Sequence, residues 1–309
     1  MSKSKKISLG GAVWSAAPTP FTDKMELDVP AVKRMVEHHV RLGVGGLFLA
    51  GTNGEGPWMT DAQRRLLVKT VVRSTAGRMP VAVQVSDNSA ARILDNIRAA
   101  REDGADIAVI APPYFLSRTE PSAVRDVYVE AIRQSPLPVG IYDRGTYSSV
   151  AVPEPLLKQI YLEKNVVMIK DSSANEKRMR LALEVKRRRP ELKLLTGWEF
   201  ECVRYLAAGF DGLLLGGGVF NGFLAGQIVA AMAAGDRGRA EKLQARMNRM
   251  MYAVYGGKKI ACWLSGEKKL LVELGLFGSW RNYPDYPLTA ACDKAIQATL
   301  KRDAEYLLP

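Results

Sequence analysis

The sequence predicts a (β/α)8 TIM barrel followed by extra C-terminal helices. Three observations lead there. Short, continuous apolar runs alternate with amphipathic stretches, which is the pattern of a parallel sheet covered on both faces. Eight such strand–helix units fit within residues 10–235, a length that suits one closed barrel. An open doubly wound sheet, the rival, would carry a G-x-G-x-x-G turn after its first strand, and that turn is missing.

The elements follow in order. "GGAVWSAA" (10–17) reads as the first strand. "DVPAVKRMVEHHVRLG" (28–43) reads as a helix, with Asp28 as N-cap, Pro30 in the first turn and Gly43 past its end. "GGLFLAG" (45–51) is a strand, and 60–77 is a helix in which Thr60 and Gln63 have capping-box spacing. The remaining strands are expected at 79–85, 105–113, 137–143, 165–171, 191–197 and 210–218. Helices are expected at 89–104, 120–135, 154–163, 175–189, 199–209 and 222–235. Residues 236–309 show no strand pattern and suggest two or three helices packed on the barrel. Residues 1–9 read as a flexible basic tail.

Composition narrows the function. The chain of 309 residues is 47% hydrophobic and 25% charged, as a soluble globular protein is. No apolar stretch reaches the roughly 18 residues of a membrane span. The start, "MSKSKKISLG", has basic residues but no apolar region behind them, so a cytoplasmic protein is expected. Cys202, Cys262 and Cys292 form neither a zinc spacing nor a disulfide framework and read as buried thiols. The net charge of +12 is scattered, apart from Lys3, Lys5 and Lys6 and the run "KRRR" at 186–189. That run ends a helix, where cations favour the dipole. No aromatic-interleaved basic stripe supports nucleic acid as a partner. Trp14, Trp58 and Trp263 read as core or interface residues.

Active sites of such barrels lie at the C-terminal ends of the strands. The polar residues there are Thr52, Asn53 and Glu55; Tyr142, Asp143 and Arg144; Lys170 and Asp171; and Thr196, Trp198 and Glu199. The only histidines, His38 and His39, are neighbours on the first helix and read as a solvated face. Metal-dependent or Ser-His-Asp chemistry therefore has no placed histidine, and no metal or cofactor is expected. Lys170 alone among the lysines closes an apolar strand at its C-terminal end; Lys193 lies near the start of its strand, on the wrong side. A desolvated lysine loses charge and becomes a nucleophile toward a ketone. Tyr142, at the end of the adjacent strand, is the candidate proton carrier. The Gly-flanked turn "GTNGE" (51–55) offers backbone N–H groups to a carboxylate.

Three segments carry a family resemblance. "GTNGE" (51–55) resembles the G-T-T-G-E motif of the dihydrodipicolinate synthase/N-acetylneuraminate lyase family, "IYD" (141–143) its Y-N segment, and "IKDSSAN" (169–175) its Schiff-base lysine segment. The late stretch 265–278 is also similar. The resemblance implies a class I lyase acting on pyruvate or another 2-keto acid. It implies that Lys170 forms the imine, that Tyr142 and Thr52 move protons, and that Thr52 and Asn53 hold the carboxylate. It further implies a homo-oligomer, a tetramer or a dimer. Gly51, Glu55, Arg144, Trp198, Glu199 and Gly216 complete the candidate substrate contacts, with Glu199 either a reader of hydroxyls or only a negative charge favoured in the first turn of its helix. "LGGGVF" (215–220) otherwise reads as tight packing.

The departures shape the substrate. Tyr147 stands where the resembling synthases carry an arginine for a second carboxylate. Asn53 replaces the second threonine of the turn, and Gly145 replaces a proline. Phe115, with Tyr114 before it, stands where many members have a tyrosine that crosses the dimer interface. Arg144 and Arg118 are unassigned cations that could meet a distal acid. The expectation is a lyase that cleaves, condenses or dehydrates a sugar-derived 2-keto acid and is not a typical dihydrodipicolinate synthase. A non-catalytic keto-acid or sugar-acid sensor on the same barrel is the alternative, and a basic RNA-associated protein a third.

Overall fold

The structure is a computed structural model, and it describes residues 9–115 and 120–309. Lys3, Lys5, Lys6 and Arg118 lie outside the described residues. Eight parallel strands close in sequence order: β1 (Val13–Ala16), β2 (Leu47–Leu49), β3 (Val81–Gln84), β4 (Ile107–Ile110), β5 (Val139–Asp143), β6 (Val166–Asp171), β7 (Lys193–Thr196) and β8 (Gly212–Leu215). The helices between them are α1 (Val29–Arg41), α2 (Asp61–Thr75), α3 (Ala90–Glu102), α4 (Pro121–Gln134), α5 (Glu154–Tyr161), α6 (Glu176–Arg188) and α7 (Cys202–Ala208). After β8 come α8 (Gly218–Ala233), α9 (Arg237–Val254), α10 (Trp263–Glu273), α11 (Ala290–Arg302) and the single turn α12 (Ala304–Leu307). No helix among the described residues is long and apolar enough to cross a membrane.

Local signals set the helix starts. Asp28 accepts from the Ala31 N–H, and Thr60 with Gln63 forms the complete capping box. The start of α8 differs most from expectation. α8 begins at Gly218, four residues before 222, because the glycines let the chain turn directly from β8. A side chain at Gly218 would come 2.8 Å from Ser15.

Strand alternation decides what each side chain faces. Trp14, Ile107, Tyr142 and Met168 fill the barrel interior. Lys170 lies two residues beyond Met168 and so points the same way. Asp143 and Asp171, expected among the mouth residues, face the helix layer instead. Asp143 takes a bidentate contact from Arg178 at 2.7 and 2.9 Å and a bond from the Tyr161 hydroxyl at 3.1 Å. Asp171 accepts from the Ser173 N–H and hydroxyl.

The other end of the barrel is tied to the chain start. Lys193 donates to the carbonyls of Leu9, Gly10 and Gly11 at 2.8–3.0 Å, and the Trp14 indole donates to Leu9. Residue 9 is therefore held, and the flexible tail expected over 1–9 does not include it.

Two other expectations need correction. His38 and His39 are fully buried, not a solvated face. The His38 Nε2 bonds the Val219 carbonyl, and His39 bridges the Met35 carbonyl and the Ser15 hydroxyl. Their adjacent positions put one against α8 and the other against β1, since helix neighbours diverge by about 100°. Among the tryptophans, Trp14 is core; Trp58, 45% exposed, is not, which leaves its interface reading, and Trp263 reaches the site described below. All three cysteines are buried and free.

Burial lowers the His38 pKa to about 4 and that of His39 to about 3, from an ordinary 6.5. Both rings are therefore neutral in the fold. Their contribution to stability is complete above pH 6.5 and is lost as pH falls through the folded-state values. Unfolding free energy measured from pH 6.5 down to 4 should fall, and the His38→Gln/His39→Gln pair should flatten that slope. An unchanged slope would show that the rings do not titrate with unfolding.

Candidate active site

The strand ends open into a cavity of about 570 Å3. Thr52, Asn53, Tyr142, Arg144, Lys170, Trp198, Glu199 and Gly216 all line it, as the sequence predicts. Tyr142 and Lys170 are register partners on β5 and β6. The Lys170 Nζ lies 4.2 Å from the centroid of the Tyr142 ring and 4.8 Å from that of Phe48. The side chain is 5% exposed.

Burial lowers the Lys170 pKa from its ordinary value, against the opposing charges of Tyr142 and Glu199. Burial would raise the Tyr142 phenol. The charges of Lys170 and Arg144 and hydrogen bonds with Thr52 and Ser172 outweigh that and lower it. The phenol's shift depends on a charged lysine, so it weakens once the amine is neutral. Ser172 also lines the cavity and was not singled out from sequence. Its place directly after Asp171, beyond the strand end, was the available signal.

Two candidates turn out to work through others. The Asn53 Nδ2 donates to the Ala16 carbonyl at 2.9 Å, the Gly216 carbonyl at 3.2 Å and the Glu267 Oε1 at 3.1 Å. Its amide hydrogens are thus taken. By contrast, the backbone N–H groups of Thr52 and Asn53 have no acceptor among the described residues. Glu199 accepts from the Gly217 N–H at 2.8 Å and the Tyr255 hydroxyl at 3.0 Å, and burial raises its pKa. Arg144 forms no salt bridge among the described residues.

Two candidates do not reach the cavity. Gly51 packs against Phe48, whose ring would lie 2.6 Å from an added side-chain carbon. Glu55 is fully buried, paired with Lys268 of α10 and accepting from the Tyr283 N–H at 2.8 Å. It clamps the turn rather than meeting a ligand. Sequence reasoning missed Glu267, because an isolated acidic residue on a late helix carries no sign of its burial. Phe115 is 73% exposed, and the Tyr114 phenol bonds the Gln84 side chain, away from Lys170. Tyr147, Phe200, Tyr255, Lys259, Ile260, Trp263 and Tyr286 complete the cavity wall.

The dihydrodipicolinate synthetase family model matches residues 10–302. The chain belongs to that family. It is 30% identical over 247 residues to the 4-hydroxy-tetrahydrodipicolinate synthase of Kosmotoga olearia, covering 78% of this chain and 82% of that one. Among solved structures, the dihydrodipicolinate synthase of Bacteroides thetaiotaomicron superposes with a TM-score of 0.86 at 27% identity, over 96% of this chain and 99% of that one. A prophage protein of E. coli K12, solved in complex with pyruvate, has the same fold, with a TM-score of 0.84 at 21% identity over 96% and 99% of the two chains. Family membership makes the chain a lyase of the class that works through a lysine Schiff base.

The Glu55 assignment can be checked by stability. Glu55→Leu should cost roughly 3–5 kcal/mol in urea unfolding, because it strands the Lys268 charge. The Glu55→Leu/Lys268→Met double variant should recover most of that loss. A mild single variant with no recovery in the double would contradict the clamp.

Proposed function

We propose that the protein forms a Schiff base between Lys170 and pyruvate or another 2-keto acid, and uses it to break or make a carbon–carbon bond or to eliminate water. The observation that carries this reading is the placement of one desolvated amine over the Tyr142 ring at the mouth of the barrel, with Thr52 and Ser172 lining the same cavity. The substrate carboxylate meets the backbone N–H groups of Thr52 and Asn53. The Asn53 side chain shapes that turn instead of binding the ligand.

In the cleavage direction the neutral amine adds to the keto carbon and the Tyr142 phenol gives its proton as water leaves, leaving a protonated imine beside a phenolate. Tyr142 takes the proton from the C4 hydroxyl. The C3–C4 bond breaks, its electron pair moves into the imine, and an aldehyde departs. Protonation of the resulting enamine at C3 and hydrolysis by one water return pyruvate and the free amine. The imine is itself the electron sink, so this chemistry needs no cofactor. Thr52 and Ser172, both on the phenol, give a proton relay built from this chain alone.

Two finer features belong to the same reading. Tyr147, at the place of the synthases' arginine, is 56% exposed and stacks on Trp198, which supports an activity other than typical dihydrodipicolinate synthesis. A sugar-derived substrate rested on Glu199 as a free carboxylate. Both its oxygens accept internal bonds, which withdraws that support. We also propose a homo-oligomer, tetramer or dimer, working in the cytoplasm.

Borohydride reduction in the presence of pyruvate should add a stable mass to the Lys170 peptide, and Lys170→Ala should abolish it. Tyr142→Phe should still form the adduct while turnover falls about 10²–10⁴-fold. No adduct with any 2-keto acid would overturn the enzyme reading in favour of a ligand sensor.

A further inference from the structure

The keto-acid head occupies little of the cavity, whose volume is in the range of about 300–1,000 Å3 that holds a drug-sized ligand. The wall beyond the head is made of rings. Tyr147 and Trp198 stack with centroids 6.1 Å apart and planes 15° from parallel, and Phe200 meets Trp198 edge-on at 5.8 Å. Trp263 and Tyr286, brought by the C-terminal segment, form a second edge-on pair at 5.8 Å. These rings are only partly buried, and Tyr147 is more than half exposed. A large aromatic left in solvent beside a reactive amine has surface to offer a ligand.

The deep side chains leave few groups to read sugar hydroxyls. Thr52 and Ser172 act on the Tyr142 phenol and lower its pKa. The Asn53 amide hydrogens and both Glu199 oxygens have internal partners, and the Asn53 Oδ1, which has none among the described residues, is buried. The remaining charged ends, Arg144 and Lys259, form no salt bridge among the described residues, and cations favour π faces and anions over neutral hydroxyls.

We propose that the group carried beyond the 2-keto acid head is an aromatic ring, seated between the Tyr147–Trp198 stack and the Trp263–Tyr286 pair. The substrate class is then an aryl-bearing 2-keto acid, cleaved to or formed from pyruvate and an aromatic aldehyde, or dehydrated to its unsaturated form. This inference rests on the Schiff-base reading and adds the distal group to it.

A competition experiment separates the two. The full-length protein is given equal concentrations of 2-oxo-4-phenylbutanoate and 2-keto-3-deoxygluconate and reduced with borohydride. Adducts on the Lys170 peptide are counted by mass, with the sugar acid's intact and cleaved forms pooled. At least tenfold more aryl adduct is expected, and Tyr147→Ala/Trp198→Ala should bring the ratio toward one. Equal adducts, a sugar-acid excess, or a ratio unchanged in the double variant would overturn the aryl inference while leaving the Schiff base standing. No adduct from either acid or from pyruvate would overturn the Schiff-base reading, and the aryl inference with it.

Discussion

Everything at the mouth of this barrel depends on keeping one ammonium out of water. Lys170 closes a strand whose preceding residues are buried, and its amine sits against two aromatic rings. A cation there is costly unless it is neutralised or paired. The surroundings allow either state. The Tyr142 phenol and the Glu199 carboxylate favour the charged form, and desolvation favours the neutral one. Gly197 makes the arrangement possible, because an added side-chain carbon would lie 2.7 Å from the Lys170 Cε and 2.0 Å from the Ser172 Oγ. The absence of a side chain at 197 therefore protects the two residues that frame the phenol.

The C-terminal helices belong to the site as much as the strands do. In the turn after β2, Thr52 faces the cavity, Asn53 lines the cavity while bonding back to α10, and Glu55 turns wholly to α10. There they meet Glu267 and Lys268, consecutive and fully buried. Ala50 and Glu55 both hold positive φ, of 54° and 59°, so the turn is strained at both ends. A buried ion pair contributes little net stability against an apolar alternative. Its value here is positional, since it holds a strained turn in the one shape that puts Thr52 on the phenol.

The fold was legible because a closed parallel barrel repeats one pattern eight times, and each repeat supports the others. Strand ends were legible for the same reason, and they brought Lys170, Tyr142 and Thr52 together. What stayed hidden was direction. Period-two alternation puts Lys170 in the interior and Asp171 in the helix layer, but the sequence reading took both as mouth residues. Glu55 sits in the same turn as Thr52 yet faces the opposite way. The two histidines looked solvated because a polar pair on a helix usually is. Their burial depends on α8 and β1 being there to accept their bonds. The aromatic wall was the least legible part, since Tyr147, Trp198, Trp263 and Tyr286 converge from segments far apart in the chain.

The central claim is that desolvation makes Lys170 a better nucleophile than an exposed lysine. The most direct test is the pH dependence of adduct formation on the Lys170 peptide, measured as the initial rate of cyanoborohydride trapping with pyruvate. The account predicts a rate that reaches its maximum below pH 10.5, the ordinary lysine value. A rate that keeps climbing through pH 10, as an exposed lysine's would, would contradict it.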